Sequence, residues 1–139
     1  MVKDSLNGAL GFGRKNALLA LCLVSTPDQI KEFAGQAIRH GASRGPFEQG
    51  IFCPTMCVEY LAGLKTESEF LNEASQHGFT TASAHCTIAM KYLSQRDRLR
   101  AREHFTKAVA TNVINQWDYE FSRACLARMN ADPNWPRFP

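Results

Sequence analysis

The chain is 139 residues long, 45% hydrophobic and 21% charged, which fits one globular domain with a modest core. A net charge of +3 is too small an excess to mark a nucleic-acid binder, and no apolar run approaches the length of a transmembrane helix. Nine glycines, six prolines and no low-complexity tract exclude a fibre or a disordered polymer.

Residues 1–13 precede the first periodic stretch. Arg14 and Lys15 then lead into the apolar run from Ala17 to Val24. That outline resembles a signal segment, but bulky Leu21 before Cys22 is wrong for lipid attachment, so the expectation is a buried helix in a cytoplasmic protein. Asn16, Leu19, Ala20 and Leu23 share one helical face. Thr26-Pro27-Asp28-Gln29 is a capping box with proline at the first helical position, so a second helix starts there. Gly41, at ease in a left-handed conformation, is expected to end it.

The pattern recurs twice. Cys53, Met56, Cys57 and Tyr60 form an apolar face, and Thr66-Glu67-Ser68-Glu69 caps a helix expected to end at Gly78. His85, Ile88, Ala89 and Tyr92 form the next face, and Asp97 caps a helix expected to end at Asn112. A seventh helix is expected from Asn115 to Met129, with Trp117, Phe121, Ala124 and Cys125 on one stripe. Residues 130–139 hold Pro133, Pro136 and Pro139 and are expected to be an extended tail.

Three segments are similar to one another. Lys31–Gly41 matches Ser68–Gly78 in its Glu-Phe, Ala and His-Gly residues at a spacing of 37, and Arg102–Asn112 is a third copy. The run His85-x2-Ile88-Ala89-x2-Tyr92, followed by Ala101-x3-Phe105 and Ala108, resembles the tetratricopeptide repeat, best over 80–129. The resemblance implies an all-α fold: a short α-solenoid of about three antiparallel helical hairpins and a C-terminal capping helix, spanning 14–129 as a single domain. It further implies an adaptor or scaffold that binds a peptide or partner helix on an apolar concave groove.

In this register the lining is Ile51, Val58, Leu61, Ser83, Cys86, Met90 and Leu93. Lys91, Arg96, Arg98, Arg100, Arg102 and Lys107 outnumber Asp97 and Glu103 beside it, and Arg96 and Arg100 share a face that can orient the partner. The expected partner is a protein, a peptide or a second copy of the chain; no nucleic acid, membrane, cofactor or metal is expected.

Five cysteines with no pair of CxxC motifs suggest neither a disulfide framework nor a zinc site. Ala37–Ser43, Cys53, Cys57 and Ala62-Gly63 also resemble the all-helical carboxymuconolactone decarboxylase and alkylhydroperoxidase-like enzymes. That alternative implies Cys53 or Cys57 as the working thiol, although Cys53-x3-Cys57 has one residue more than the enzymes' CxxC. Burial of the two cysteines at helical spacing explains them without chemistry. His40 and His77 sit where a helix C-terminus favours an imidazole, and His85 and His104 lack a carboxylate at ligand spacing in the sequence. The chain is therefore read as a non-enzyme.

Overall fold

The structure is a computed structural model that describes residues 15–40, 54–76 and 78–137, and all regular elements among them are helical. Helix α1 spans 15–21, α2 Pro27–Arg39, α3 Pro54–Leu61, α4 Glu67–Ala74, α5 Gly78–Ser94, α6 Arg98–Ala110 and α7 Trp117–Ala131. None is long and apolar enough to cross a membrane.

The helix starts follow their capping residues. The Thr26 hydroxyl accepts from the Gln29 amide at 3.3 Å while the Gln29 side chain accepts from the Thr26 amide at 2.9 Å. Thr66 and Glu69 repeat this exchange at 3.2 and 2.8 Å. Asp97 accepts from the Arg100 amide at 3.0 Å.

The helix stops are less uniform. Asn112 is left-handed with φ 53°, as its side chain suggests. Gly78, by contrast, opens α5 instead of closing α4, and Gly41 lies outside the described residues. The last carbonyl of α4, Ala74 O, accepts from the Thr80 and Thr81 hydroxyls at 2.6 and 3.1 Å, so the next helix supplies the cap and no left-handed residue is needed. The left-handed glycine is Gly63 (φ 79°), which closes α3 with Leu64 N–H donating to Glu59 O and Gly63 N–H to Tyr60 O, each at 3.0 Å. Arg96 (φ 62°) closes α5 in the same way, through Asp97 N–H to Tyr92 O at 2.9 Å and Arg96 N–H to Leu93 O at 2.8 Å. Asn115 (φ 75°) belongs to the turn before α7 rather than to the helix.

Helix α5 is the centre of the packing, in contact with α3, α4, α6 and α7 and buried along most of its length from Thr80 to Ser94. Its closest neighbour is α6, where Ala89, Ala101 and Ala108 are fully buried around Phe105. Small residues at the crossing allow the two backbones to approach, and the aromatic fills the adjoining space. A second cluster joins Met56, Cys57 and Tyr60 to Phe70, Ala84 and Ile88, with the Tyr60 and Phe70 rings stacked at 4.8 Å. Lys65 ties α3 to α4 by pairing with Glu59 at 3.0 Å and with Glu73.

Helix α1 departs from the expected register. Lys15, Leu18, Leu19 and Cys22 are buried while Ala20 is exposed, so the inward face lies one residue ahead of Asn16, Leu19, Ala20 and Leu23. The run is apolar on every side, so periodicity alone cannot orient it. Beyond α7, Trp135 packs against the main core and Pro136 is buried.

Replacing Ala89 with Leu overpacks the α5–α6 crossing and is expected to lower stability by about 1–3 kcal/mol, read from urea unfolding midpoints.

Candidate functional site

Val58, Leu61, Cys86, Met90 and Leu93, expected to line an open groove, are core side chains no more than 2% exposed, and Ser83 is buried beside them. Ile51 lies outside the described residues. These core side chains belong to one continuous apolar cluster with Leu18, Leu19 and Cys22 of α1, Ile30 and Ala34 of α2, and Cys125 and Met129 of α7. Arg96 and Arg100 are exposed at the start of α6, apart from this cluster. Arg100 lies over the Tyr92 ring at 5.4 Å and 3.6 Å from Asp97. Arg98 and Arg102 are committed elsewhere, donating to the Met129 carbonyl at 3.2 and 3.4 Å, where their charge opposes the negative end of the α7 dipole.

At the other end of α7 lies a buried ion pair. Lys15 Nζ is 2.8 Å from both carboxylate oxygens of Asp118, with Lys15 1% and Asp118 2% exposed. Asp118 is the second residue of α7, where the helix dipole favours a negative charge. Its Oδ2 also accepts from the Ser83 hydroxyl at 2.5 Å and from the Gln116 amide at 3.3 Å. Gln116 makes no capping bond to α7; its amide instead reaches Ser83 Oγ and the Phe79 carbonyl, each at 3.1 Å. Lys15 lies 5.6 Å from the Trp117 ring centre, and Trp117 stacks on Phe121 at 4.6 Å.

The start of α1 is thereby located beside the first turns of α5, where Lys15 meets the Asp118 carboxylate that Ser83 also binds. The apolar run of α1 offers several equivalent faces, and the ion pair selects which of them is inward.

The described thiols sit in settings that suppress reactivity. Burial pushes Cys22 and Cys125 up to about 12, and burial followed by the nearby Asp118 charge raises Cys86 well above the ordinary value. Cys57 is buried, and Cys53 lies outside the described residues.

A second polar cluster forms where α4, α5 and α6 meet. His85 Nδ1 and His104 Nδ1 are 3.0 Å apart, His104 Nε2 is 3.4 Å from Glu67 Oε1, and the Tyr92 hydroxyl donates to Glu67 Oε2 at 2.7 Å. Glu67 thus supplies His104 with a carboxylate that linear spacing did not reveal. Burial, then the His104 and Lys107 charges, hold His85 down at about 4; burial lowers His104 as well. Among the described residues no three His, Cys, Asp or Glu side chains are placed to hold a metal ion. His77 lies outside the described residues, and His40 is the C-cap of α2.

No family model matches this chain, and no curated protein or solved structure matches it.

The Lys15–Asp118 pair is not legible in the sequence: Lys15, Leu18, Leu19 and Cys22 share the offsets of the repeats, but so do Asn16, Leu19, Ala20 and Leu23, and spacing does not choose between them. Lys15→Met strands the Asp118 carboxylate and is expected to cost roughly 3 kcal/mol, while adding Asp118→Leu recovers part of the loss, a non-additivity read from a double-mutant cycle in urea. For His85, the unfolded chain takes up a proton near the ordinary 6.5 and the folded chain only near 4, so the folded state loses stability as pH falls through that window. The drop in urea midpoint between pH 7 and pH 5 is expected to be smaller in His85→Gln than in the unaltered protein.

Proposed function

We propose that the chain is a TPR-like helical-repeat adaptor or scaffold of the cytoplasm, which takes a partner helix or peptide on the side formed by α3, α5 and α7. The observation that carries this reading is the order of packing. From α2 onward each helix meets the next in sequence, with α2 and α3, α4 and α5, and α6 and α7 joining successive pairs, while α3 and α7 each also meet α5. Helical hairpins stacked as a short α-solenoid and closed by a capping helix make that set of contacts, because each unit packs only on its neighbours. The small and large residues at Ala89, Ala101, Phe105 and Ala108 suit the same arrangement.

Beside the first turn of α7, Phe79, Ile114 and Trp117 expose apolar surface, with Trp117 41% exposed and adjoining Lys15. Aromatic side chains of this kind anchor protein interfaces. A partner on the α3–α5–α7 side passes over this rim.

The test is affinity purification of the full chain, with bound proteins quantified by mass spectrometry against the double variant Trp117→Ala, Ile114→Ser. Because both residues are exposed, the melting temperature is expected to stay within a few degrees while the recovery of a specific partner falls at least tenfold. Recovery of the same proteins by both forms, or of none above a bare-resin control, overturns the reading.

A further inference from the structure

We propose that α1 is an internal, displaceable occupant of the partner groove, and that the groove is selective for a basic amphipathic helix: Lys or Arg, then apolar side chains three, four and seven residues later. This rests on the interaction reading above and names the chemistry of its partner.

The position of α1 is the first ground. In a stack of nearest-neighbour hairpins, a first helix packs on the units next to it; α1 shares its apolar cluster with Ile30 and Ala34 of α2 and is in addition bound to α7, across 103 residues of chain. Its Leu18, Leu19 and Cys22 belong to the same cluster as Val58, Leu61, Cys86, Met90, Cys125 and Met129, and Lys15 meets the Asp118 carboxylate that Ser83 of α5 also binds. Helix α1 therefore occupies the groove as a bound helix does, with an anchoring side chain at one end and an apolar stripe behind it.

The second ground is the anchor itself. Asp118 is fixed by groups that do not belong to α1: the start of its own helix, the Ser83 hydroxyl at 2.5 Å and the Gln116 amide at 3.3 Å. With those partners the carboxylate is held in place before any cation arrives. An occupant that brings a neutral or acidic residue to this point leaves a buried negative charge unpaired or repelled, whereas an ammonium or a forked guanidinium satisfies both carboxylate oxygens. The Trp117 ring, 5.6 Å from the Lys15 ammonium, adds a second surface that favours a cation. The charge sets the register and the identity of the bound helix, and the apolar contacts hold it.

The probe is a fluorescein-labelled synthetic peptide of residues 15–25, titrated by anisotropy into the unaltered full chain and into the full-length variant Leu18→Glu, Leu19→Glu, whose own α1 cannot dock. The variant is expected to bind the peptide at least tenfold more tightly than the unaltered chain does. A peptide carrying Lys15→Gln is expected to lose at least tenfold in affinity, and one carrying Lys15→Glu to regain it on a variant that also carries Asp118→Lys. Equal binding by the Lys and Gln peptides, or no gain from disabling α1, overturns the proposal.

Should the double variant fail to fold, hydrogen exchange on the unaltered chain decides. Amides of 18–22 exchanging at least tenfold faster than those of 86–93 support a displaceable α1, and equal protection overturns it. A chain that is dimeric through exchanged α1 helices, seen as a doubled mass by light scattering, identifies a second copy as the occupant and likewise overturns it. If partner recovery still depends on Trp117 and Ile114 while the peptide does not bind, the adaptor reading stands and only this inference falls.

Discussion

A charge pair closed off from water governs the geometry of this protein. Lys15 and Asp118 come from opposite ends of the described chain, yet each is almost wholly buried and each supplies what the other lacks. Two separate charges cannot be left in an apolar interior, so once Asp118 is placed at the start of α7 the cation has to follow, and α1 follows with it. That requirement turns α1 to present Leu18, Leu19 and Cys22 inward rather than the neighbouring face that carries Ala20. It also draws Ser83 and Gln116 into one polar network, so that α1, α5 and α7 are held at a common level.

Around this point the fold uses ordinary helix packing. Helix α5 is covered by four other helices, which its sequence permits because Ala82, Ala84 and Ala89 add little bulk and Thr87 returns its hydroxyl to the Ser83 carbonyl at 2.8 Å. The arginine-rich stretch that looks in sequence like a charged patch is divided by the fold. Arg98 and Arg102 satisfy carbonyls at the end of α7, Arg100 lies on Tyr92, and Arg96 occupies the left-handed turn that closes α5. Charge that appears available in the linear chain is largely spent on helix ends.

The proposed interaction surface has the same logic. Side chains that a repeat pattern assigns to an open groove are fully covered, because a segment of the same chain provides the apolar stripe and the cation the groove accepts. The residues left outward beside it, Phe79, Ile114 and Trp117, mark the rim. A helix anchored by one cation is the kind of element that a competing helix of like chemistry displaces.

The amino-acid sequence by itself determined that the chain is helical and where α2, α4 and α6 start. Thr26, Thr66 and Asp97 cap within three residues of themselves, and Asn112 is left-handed through its own side chain, so each outcome depends on bonds between near neighbours in the chain. The buried small and large positions of α5 and α6 were legible too, because helical periodicity records which face is inward. Gly78 could not be read this way, since Thr80 and Thr81 had already satisfied the end of α4, and neither could α1, whose apolar run offers several equivalent faces. Only the tertiary structure chose among them, because the deciding partner, Asp118, lies 103 residues away and acts through a charge whose burial has no signature in local spacing.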